Sequence, residues 1–214
     1  MAPPSWHDAD VAEAQLERPR LTSQELRPYL AVLGMLAAMW VLEIVDLVPG
    51  VDLDRWGIRP RTIRGLVGIP LAPFLHQGFG HLIGNSVPFV VLGLIIAASG
   101  LQRFVQVTII VGAFAGIGVW LTAPTSTVHI GASGLVFGYL TYLITRGFFA
   151  RRLGQILFGF VILFFYGGLF WGLLPHPGIS WQGHLFGAIG GVVAAWIIHA
   201  DRGAPAEGPA PAAQ

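Results

Sequence analysis

The chain has 214 residues, of which 54% are hydrophobic and 11% charged, and its formal net charge is +1. This composition is too apolar for an ordinary soluble domain and predicts a membrane protein. No aspartate or glutamate lies between Arg55 and His199, which excludes an HExxH metalloprotease or an aspartyl dyad there, and the absence of cysteine excludes disulfides and thiolate chemistry.

The chain divides into two polar tails around an apolar middle. Residues 1–27 carry charges of both signs and are expected to form a cytosolic tail rather than a cleaved signal peptide. Residues 28–202 are expected to form one membrane domain, and the Ala/Pro/Gly-rich residues 203–214 a disordered tail. Six apolar runs of roughly 20 residues or fewer predict six membrane spans. The runs are 29–48, 81–99, 104–123, 133–145, 155–174 and 181–199.

The first loop, residues 49–80, is long and mixes arginine with apolar residues. That pattern predicts a segment lying partly in the outer membrane interface. An ordinary amphipathic connector without a function of its own is the alternative interpretation.

The twelve basic residues are all arginine and are dispersed, so they predict no nucleic-acid partner. With six spans, eight arginines fall on the side of the two tails and four on the other side, all four in the first loop. The positive-inside rule then predicts that both termini are cytosolic. We therefore expect a multi-pass protein of the cytoplasmic membrane, and the composition hints at a bacterial source.

The fourth apolar run is short and predicts a helix that begins at Ser133, inside the membrane. The preceding segment LTAPTSTVHIGA would then enter the membrane as non-helical chain. Such backbone is tolerated only when it is buried in protein or lines a water-filled cavity. A cavity of this kind would supply water for hydrolysis.

Four polar side chains on three predicted helices reach a similar depth. Counting from the cytosolic helix ends places Ser133, His184 and Asn85 within roughly 10 Å of the outer face, with His81 one turn above Asn85. Gly134 and Gly138 on the fourth run, and Gly187 and Gly191 on the sixth, form small-xxx-small patterns that allow close helix contact. We therefore expect Ser133 and His184 to face each other.

Three motifs carry a family resemblance. GASG at 131–134, HLIGN at 81–85 and GHLFGAIGG at 183–191 together resemble the rhomboid intramembrane serine proteases. The soluble hydrolase pattern GxSxG is not met, because Leu135 holds its last position. The chain also has Arg55-Trp56 where many relatives carry Trp-Arg, so no loop function is assigned to that pair.

The resemblance implies a fold and a function. The fold is an all-α membrane protein, a six-transmembrane-helix bundle with a short, internally starting fourth helix. The function is serine endopeptidase activity on the transmembrane segments of other proteins, cut near the outer face of the lipid bilayer. No cofactor and no metal are implied.

The resemblance also implies roles for particular residues. Ser133 is the nucleophile and His184 its base, with Phe137 packed on the imidazole ring. The backbone N–H of Ser133, the amide of Asn85 and the ring of His81 stabilise the oxyanion. Supporting roles fall to glycines 131, 134 and 187.

Simpler interpretations exist for each residue. Taken alone, Ser133 could be a small residue that allows helix packing, and His184 could be a hydrogen-bonded or interfacial histidine. His81 and Asn85 could simply connect the first loop to the bundle. A zinc site formed by His76, His81 and His184 is a further alternative. The remaining histidines flank the spans and are expected at the surface or in loops, namely His76, His129, His176 and His199.

Two other functions compete with proteolysis. A catalytically inactive relative would bind transmembrane helices, and a small transporter or channel would place polar groups near the midplane. The aromatic residues of the fifth run either form a lateral gate beside the second span or face lipid. They are Phe158, Phe160, Phe164, Phe165, Tyr166, Phe170 and Trp171.

Overall fold

The structure, a computed structural model, describes residues 22–176 and 178–199. Within these ranges the chain is helical, and its one pair of bridged extended residues is Ile58 with His129, which confirms the all-helical prediction for the described part. The α-helices are α1 (Ser23–Asp46), α2 (Ile63–Leu71), α3 (Phe79–Ala97), α4 (Leu101–Thr122), α5 (Ser133–Phe149), α6 (Leu153–Tyr166) and α7 (Trp181–His199). Three 3₁₀ turns lie at Asp54–Trp56, Ala72–Phe74 and Gly167–Leu173.

Five helical stretches of the described chain are long and apolar enough to cross a membrane. They are α1, α3, α4, α7 and α6 together with its 3₁₀ extension, Leu153–Leu173. The helix α5 has 17 residues and lies at the centre of the bundle, where residues 135–143 are all buried. This part of α5 therefore contacts protein on all sides. In α6, by contrast, few residues are buried and most are exposed.

The first helix begins earlier than its apolar run predicts. Its polar first turn is fixed by a capping box, in which the hydroxyl of Thr22 accepts from the backbone N–H of Glu25 and the Glu25 carboxylate accepts from the backbone N–H of Thr22. Cap chemistry rather than hydropathy therefore sets this helix start. The predicted tails, apart from residues 22–27, lie outside the described residues.

Helices α5 and α7 touch through the glycines that the sequence singles out. A methyl group at Gly187 would overlap the carbonyl oxygen of Gly134, and one at Gly191 would overlap that of Gly138. The hydroxyl of Thr141 donates to the carbonyl of Ala188 at 2.7 Å and joins the two backbones directly. The predicted small-xxx-small contact is confirmed, and it brings the start of α5 beside the first turns of α7.

The first loop folds into ordered structure that packs against the chain leading to Ser133. Backbone bonds of 2.9 and 3.0 Å pair Ile58 with His129, and the indole N–H of Trp120 donates to the carbonyl of Thr62 at 2.9 Å. The apolar side chains on one face of α2 point outward, and Ile63 is 87% exposed. The loop is thus tied to the segment 123–132, which is non-helical as predicted, whereas Leu121 and Thr122 of the predicted segment end the helix α4.

Candidate active site

The hydroxyl of Ser133 and the imidazole of His184 meet where α5 and α7 touch. The distance between Ser133 Oγ and His184 Nε2 is 2.8 Å, and that between His184 Nδ1 and the carbonyl oxygen of Gly172 is 2.7 Å. A carbonyl oxygen only accepts hydrogen bonds, so the Nδ1 atom carries the proton. The Nε2 lone pair is then free to accept the Ser133 proton, as a general base requires.

The ring of Phe137 stacks on His184, as the resemblance implies. The ring centroids lie 4.2 Å apart and the planes differ by 9°. Ser133 and Phe137 are four residues apart on α5, and side chains at that spacing share a helix face. One face of the imidazole is therefore fixed by packing and its Nδ1 edge by the Gly172 carbonyl.

The turn before Ser133 brings His81 and Asn85 to the site. Gly131 has a φ of +110°, which favours glycine, and a methyl group there would lie 2.7 Å from Nε2 of His81 and 3.6 Å from Nδ2 of Asn85. Asn85 is buried, and its Nδ2 donor has no partner within the described protein. A buried donor without a partner is costly unless a ligand uses it.

The backbone N–H of Ser133 is a third donor at this place. Ser133 is the first residue of α5, and the first N–H groups of a helix have no partner within that helix. Helix N-termini also favour negative charge. The donors expected for an oxyanion therefore gather at the start of α5, while their catalytic roles stay predictions.

A cavity of about 630 Å³ opens onto these groups. One water molecule takes roughly 30 Å³ of liquid, so the cavity has room for several water molecules. Its lining includes Ser133, His184, His81, Asn85 and Phe137, together with residues from the segment 127–130. The non-helical chain before Ser133 thus lines a cavity, as predicted.

Comparison with known proteins bears on this arrangement. A model of the rhomboid domain family matches residues 64–201, which contain every site residue named so far. The chain belongs to the rhomboid family. With its five candidate spans, this rhomboid is a multi-pass membrane protein.

Several bacterial proteins are similar to this rhomboid. "Uncharacterized protein Rv1337" of Mycobacterium tuberculosis is 43% identical over 178 residues, covering 79% of this chain and 74% of its own. "Uncharacterized protein ML1171" of Mycobacterium leprae is 42% identical over 180 residues, covering 80% and 71%. "Putative rhomboid protease YdcA" of Bacillus subtilis is 31% identical over 180 residues, covering 80% and 90%.

Two histidines of this rhomboid are more buried than their sequence positions suggest. His76 lies in a loop, one of the two expected positions, but it is 1% exposed rather than at the surface, and its Nε2 accepts the backbone N–H of Ala132 at 3.3 Å. Burial and the adjacent His81 ring lower the pKa of His76 to about 4, which keeps its ring neutral and able to accept. His76 therefore holds the turn that precedes Ser133 through this hydrogen bond.

His199 is also buried, contrary to the prediction. Its Nε2 atom lies 3.2 Å from the hydroxyl of Tyr142 and 3.2 Å from Nη1 of Arg103. These contacts draw the end of α7 inward between α4 and α5. His129 is partly buried in the loop, as expected, and burial lowers the pKa of its imidazole.

The three-histidine zinc alternative finds no support in this rhomboid. Within residues 22–176 and 178–199, no three His, Asp or Glu side chains are grouped in a way that could hold a metal ion. His184 uses both ring nitrogens in its bonds to Ser133 and Gly172.

Replacement of Asn85 with alanine tests whether its amide serves an oxyanion or ties the first loop to the bundle. Removal of one oxyanion donor is expected to lower kcat about a hundredfold. Because Nδ2 has no protein partner, thermal unfolding of the rhomboid should be unchanged. The measurement is kcat for cleavage of a transmembrane reporter beside the melting temperature, and a lower melting temperature with normal kcat would favour the structural tie.

Proposed function

We propose that the protein is an intramembrane serine endopeptidase that cleaves the transmembrane segments of other proteins near the outer membrane face. The observation that carries the proposal is the 2.8 Å contact between Ser133 Oγ and His184 Nε2, made by an imidazole whose Nδ1 proton is already bound by Gly172. This tautomer makes His184 a base toward Ser133. Family membership supports the same function.

The reaction proceeds by acyl transfer. Ser133 Oγ attacks the carbonyl carbon of the scissile peptide while its proton moves to His184 Nε2. When the tetrahedral intermediate collapses, the C–N bond breaks and His184 gives that proton to the leaving amine. The N-terminal half of the substrate is then esterified to Ser133.

Water completes the cycle. A water molecule from the 630 Å³ cavity loses a proton to His184 and attacks the ester, and the proton returns to Ser133 Oγ as the acid product leaves. In both steps the negative oxygen accepts from the Ser133 backbone N–H, the Asn85 amide and the His81 ring. These donors act in a largely buried site, where each is worth more than in water.

The membrane arrangement that fits this function has six spans. The buried helix α5 is the short fourth span, packed against α3, α4, α6 and α7, and the excess of arginine on the side of the two tails predicts that both ends are cytosolic. Ser133, at the first position of α5, then lies below the outer face. The bacterial relatives fit a bacterial cytoplasmic membrane.

The substrate is expected to present an unwound segment. A stable transmembrane helix hides its peptide bonds, so glycine or proline near the outer boundary should promote cleavage. The test combines purified protein in proteoliposomes with a single-span reporter carrying a Gly-Pro pair near its outer end. Mass spectrometry should locate the cut there, and a matched reporter with Ala-Leu in that place should be cut at least about tenfold more slowly. Equal rates would contradict this substrate requirement.

The intact Ser133–His184 contact argues against an inactive binder of transmembrane helices. An inactive protein would leave both reporters uncut. A transporter would require a polar path near the midplane, whereas the polar groups of this cavity gather at the start of α5.

A further inference from the structure

We propose that the backbone carbonyl of Gly172 is a positioning group for His184 and takes the place of the carboxylate in a serine protease triad. This inference rests on the proposed function. The carbonyl oxygen lies 2.7 Å from His184 Nδ1, on the ring edge opposite the nitrogen that meets Ser133. A triad carboxylate normally binds that edge and fixes the tautomer.

Within the described residues no carboxylate contacts His184, whose two ring nitrogens meet Gly172 and Ser133. The sequence has no aspartate or glutamate from Arg55 to His199. The stack with Phe137 restrains the tilt of the imidazole, but an aromatic face cannot tell Nδ1 from Nε2. The Gly172 carbonyl does distinguish them, because it only accepts hydrogen bonds and therefore favours a proton on the nitrogen that faces it.

The position favours glycine. A methyl group on Gly172 would lie 3.0 Å from Cζ of Phe137 and 3.1 Å from Nδ1 of His184, both tighter than ordinary contact. An added methyl group would therefore require the imidazole, the Phe137 ring or the Gly172 backbone to shift by a few tenths of an ångström. The backbone of Gly172 reaches the ring edge because no side chain stands between them.

The bond also becomes stronger as the reaction proceeds. When His184 Nε2 takes the Ser133 proton, the ring gains a positive charge and its Nδ1–H donates a charge-assisted hydrogen bond. An interaction that strengthens toward the transition state raises kcat rather than substrate affinity. The carbonyl is therefore expected to act on kcat and to leave KM unchanged.

Gly172 belongs to a lightly packed part of the bundle. None of the residues in the 3₁₀ turn Gly167–Leu173 is buried, and Trp171 in that turn is 77% exposed. The turn follows α6, where Phe164 is 82% exposed. A change confined to the acceptor strength of one carbonyl should consequently leave the stability of the bundle as it is.

The test replaces one amide by an ester in the full chain. Incorporation of the α-hydroxy analogue of leucine at position 173 converts the Gly172–Leu173 amide to an ester, whose carbonyl is a weaker acceptor. The same change at Leu174 is the matched control: it removes the backbone N–H that donates to Trp171, at 3.2 Å, and leaves the Gly172 carbonyl unchanged. Both variants lose one N–H of the same segment.

We expect the ester at position 173 to lower kcat about three- to tenfold relative to the control, as the weakening of one hydrogen bond implies, with KM unchanged. The ¹⁵N NMR signals of His184 should show a smaller share of the Nδ1–H tautomer at neutral pH. The tautomer signal does not depend on turnover, and a merely structural change would not move it.

The outcomes separate the two proposals. If the wild-type protein cleaves the reporter and Ser133→Ala does not, but the two esters agree in kcat and in the His184 signals, Gly172 does not position His184 while the protease function holds. If the wild-type protein fails to cleave any reporter, the proposed protease function is contradicted, and so is the positioning role of Gly172 that rests on it. A lower kcat together with an altered tautomer at position 173 alone supports the inference.

Discussion

Replacement of Ser133 with alanine is expected to lower reporter cleavage by at least about 10⁴-fold, to the background rate. Among the described residues, the Ser133 hydroxyl is the one that meets the His184 Nε2 lone pair, so the proposed acyl intermediate forms there. The measurement is single-turnover cleavage of the transmembrane reporter in proteoliposomes. A fluorophosphonate probe should label the wild-type protein and leave the Ser133→Ala variant unlabelled.

His184→Ala is expected to produce a similar loss, because the nucleophile and its base act as a unit whose effects do not add. Ser86→Ala is the matched control. The Ser86 hydroxyl donates to the carbonyl of Leu82 and accepts from the indole of Trp40, away from His184, so its loss should leave cleavage near the wild-type rate. Unchanged cleavage in both the Ser133 and the His184 variants would contradict a protease that uses Ser133 and His184.

Gly191→Ala is expected to destabilise the bundle and to abolish most activity. The added methyl group would overlap the carbonyl oxygen of Gly138 and the hydroxyl of Thr141, so α5 and α7 would have to move apart. Overpacking of this kind costs about 3 kcal/mol of unfolding free energy. Separation of the two helices would also break the 2.8 Å contact between Ser133 and His184, since each helix carries one of them.

Gly34→Ala is the control for the glycine substitution. Gly34 lies in the interior of α1, a candidate span, and a methyl group there meets nothing within 4 Å. This variant should unfold at or slightly above the wild-type temperature, because alanine favours a helix more than glycine does. Thermal unfolding in detergent micelles measures the stability of the Gly191→Ala and Gly34→Ala variants. Equal melting temperatures for the two variants would show that the α5–α7 contact tolerates a side chain.

The sequence by itself determined the class of protein and the pair at the centre of the site. Composition and apolar runs indicated a multi-pass helical membrane protein. The small-xxx-small glycines indicated which two helices approach, and the four-residue spacing put Phe137 on the same face as Ser133. These features follow from local periodicity and side-chain size, which are properties of short segments and can be read along the chain.

Only the tertiary structure decided how His184 is oriented and what holds the turn before Ser133. Every residue has a backbone carbonyl, so nothing in the sequence distinguishes the one at Gly172, which meets His184 only because the chain turns back after α6. His76 is a loop residue, as expected, but its position before α3 says nothing about burial, and the folded first loop buries it beside Ala132. Both contacts join segments distant in sequence, and such contacts depend on the packing of the whole bundle rather than on any local pattern.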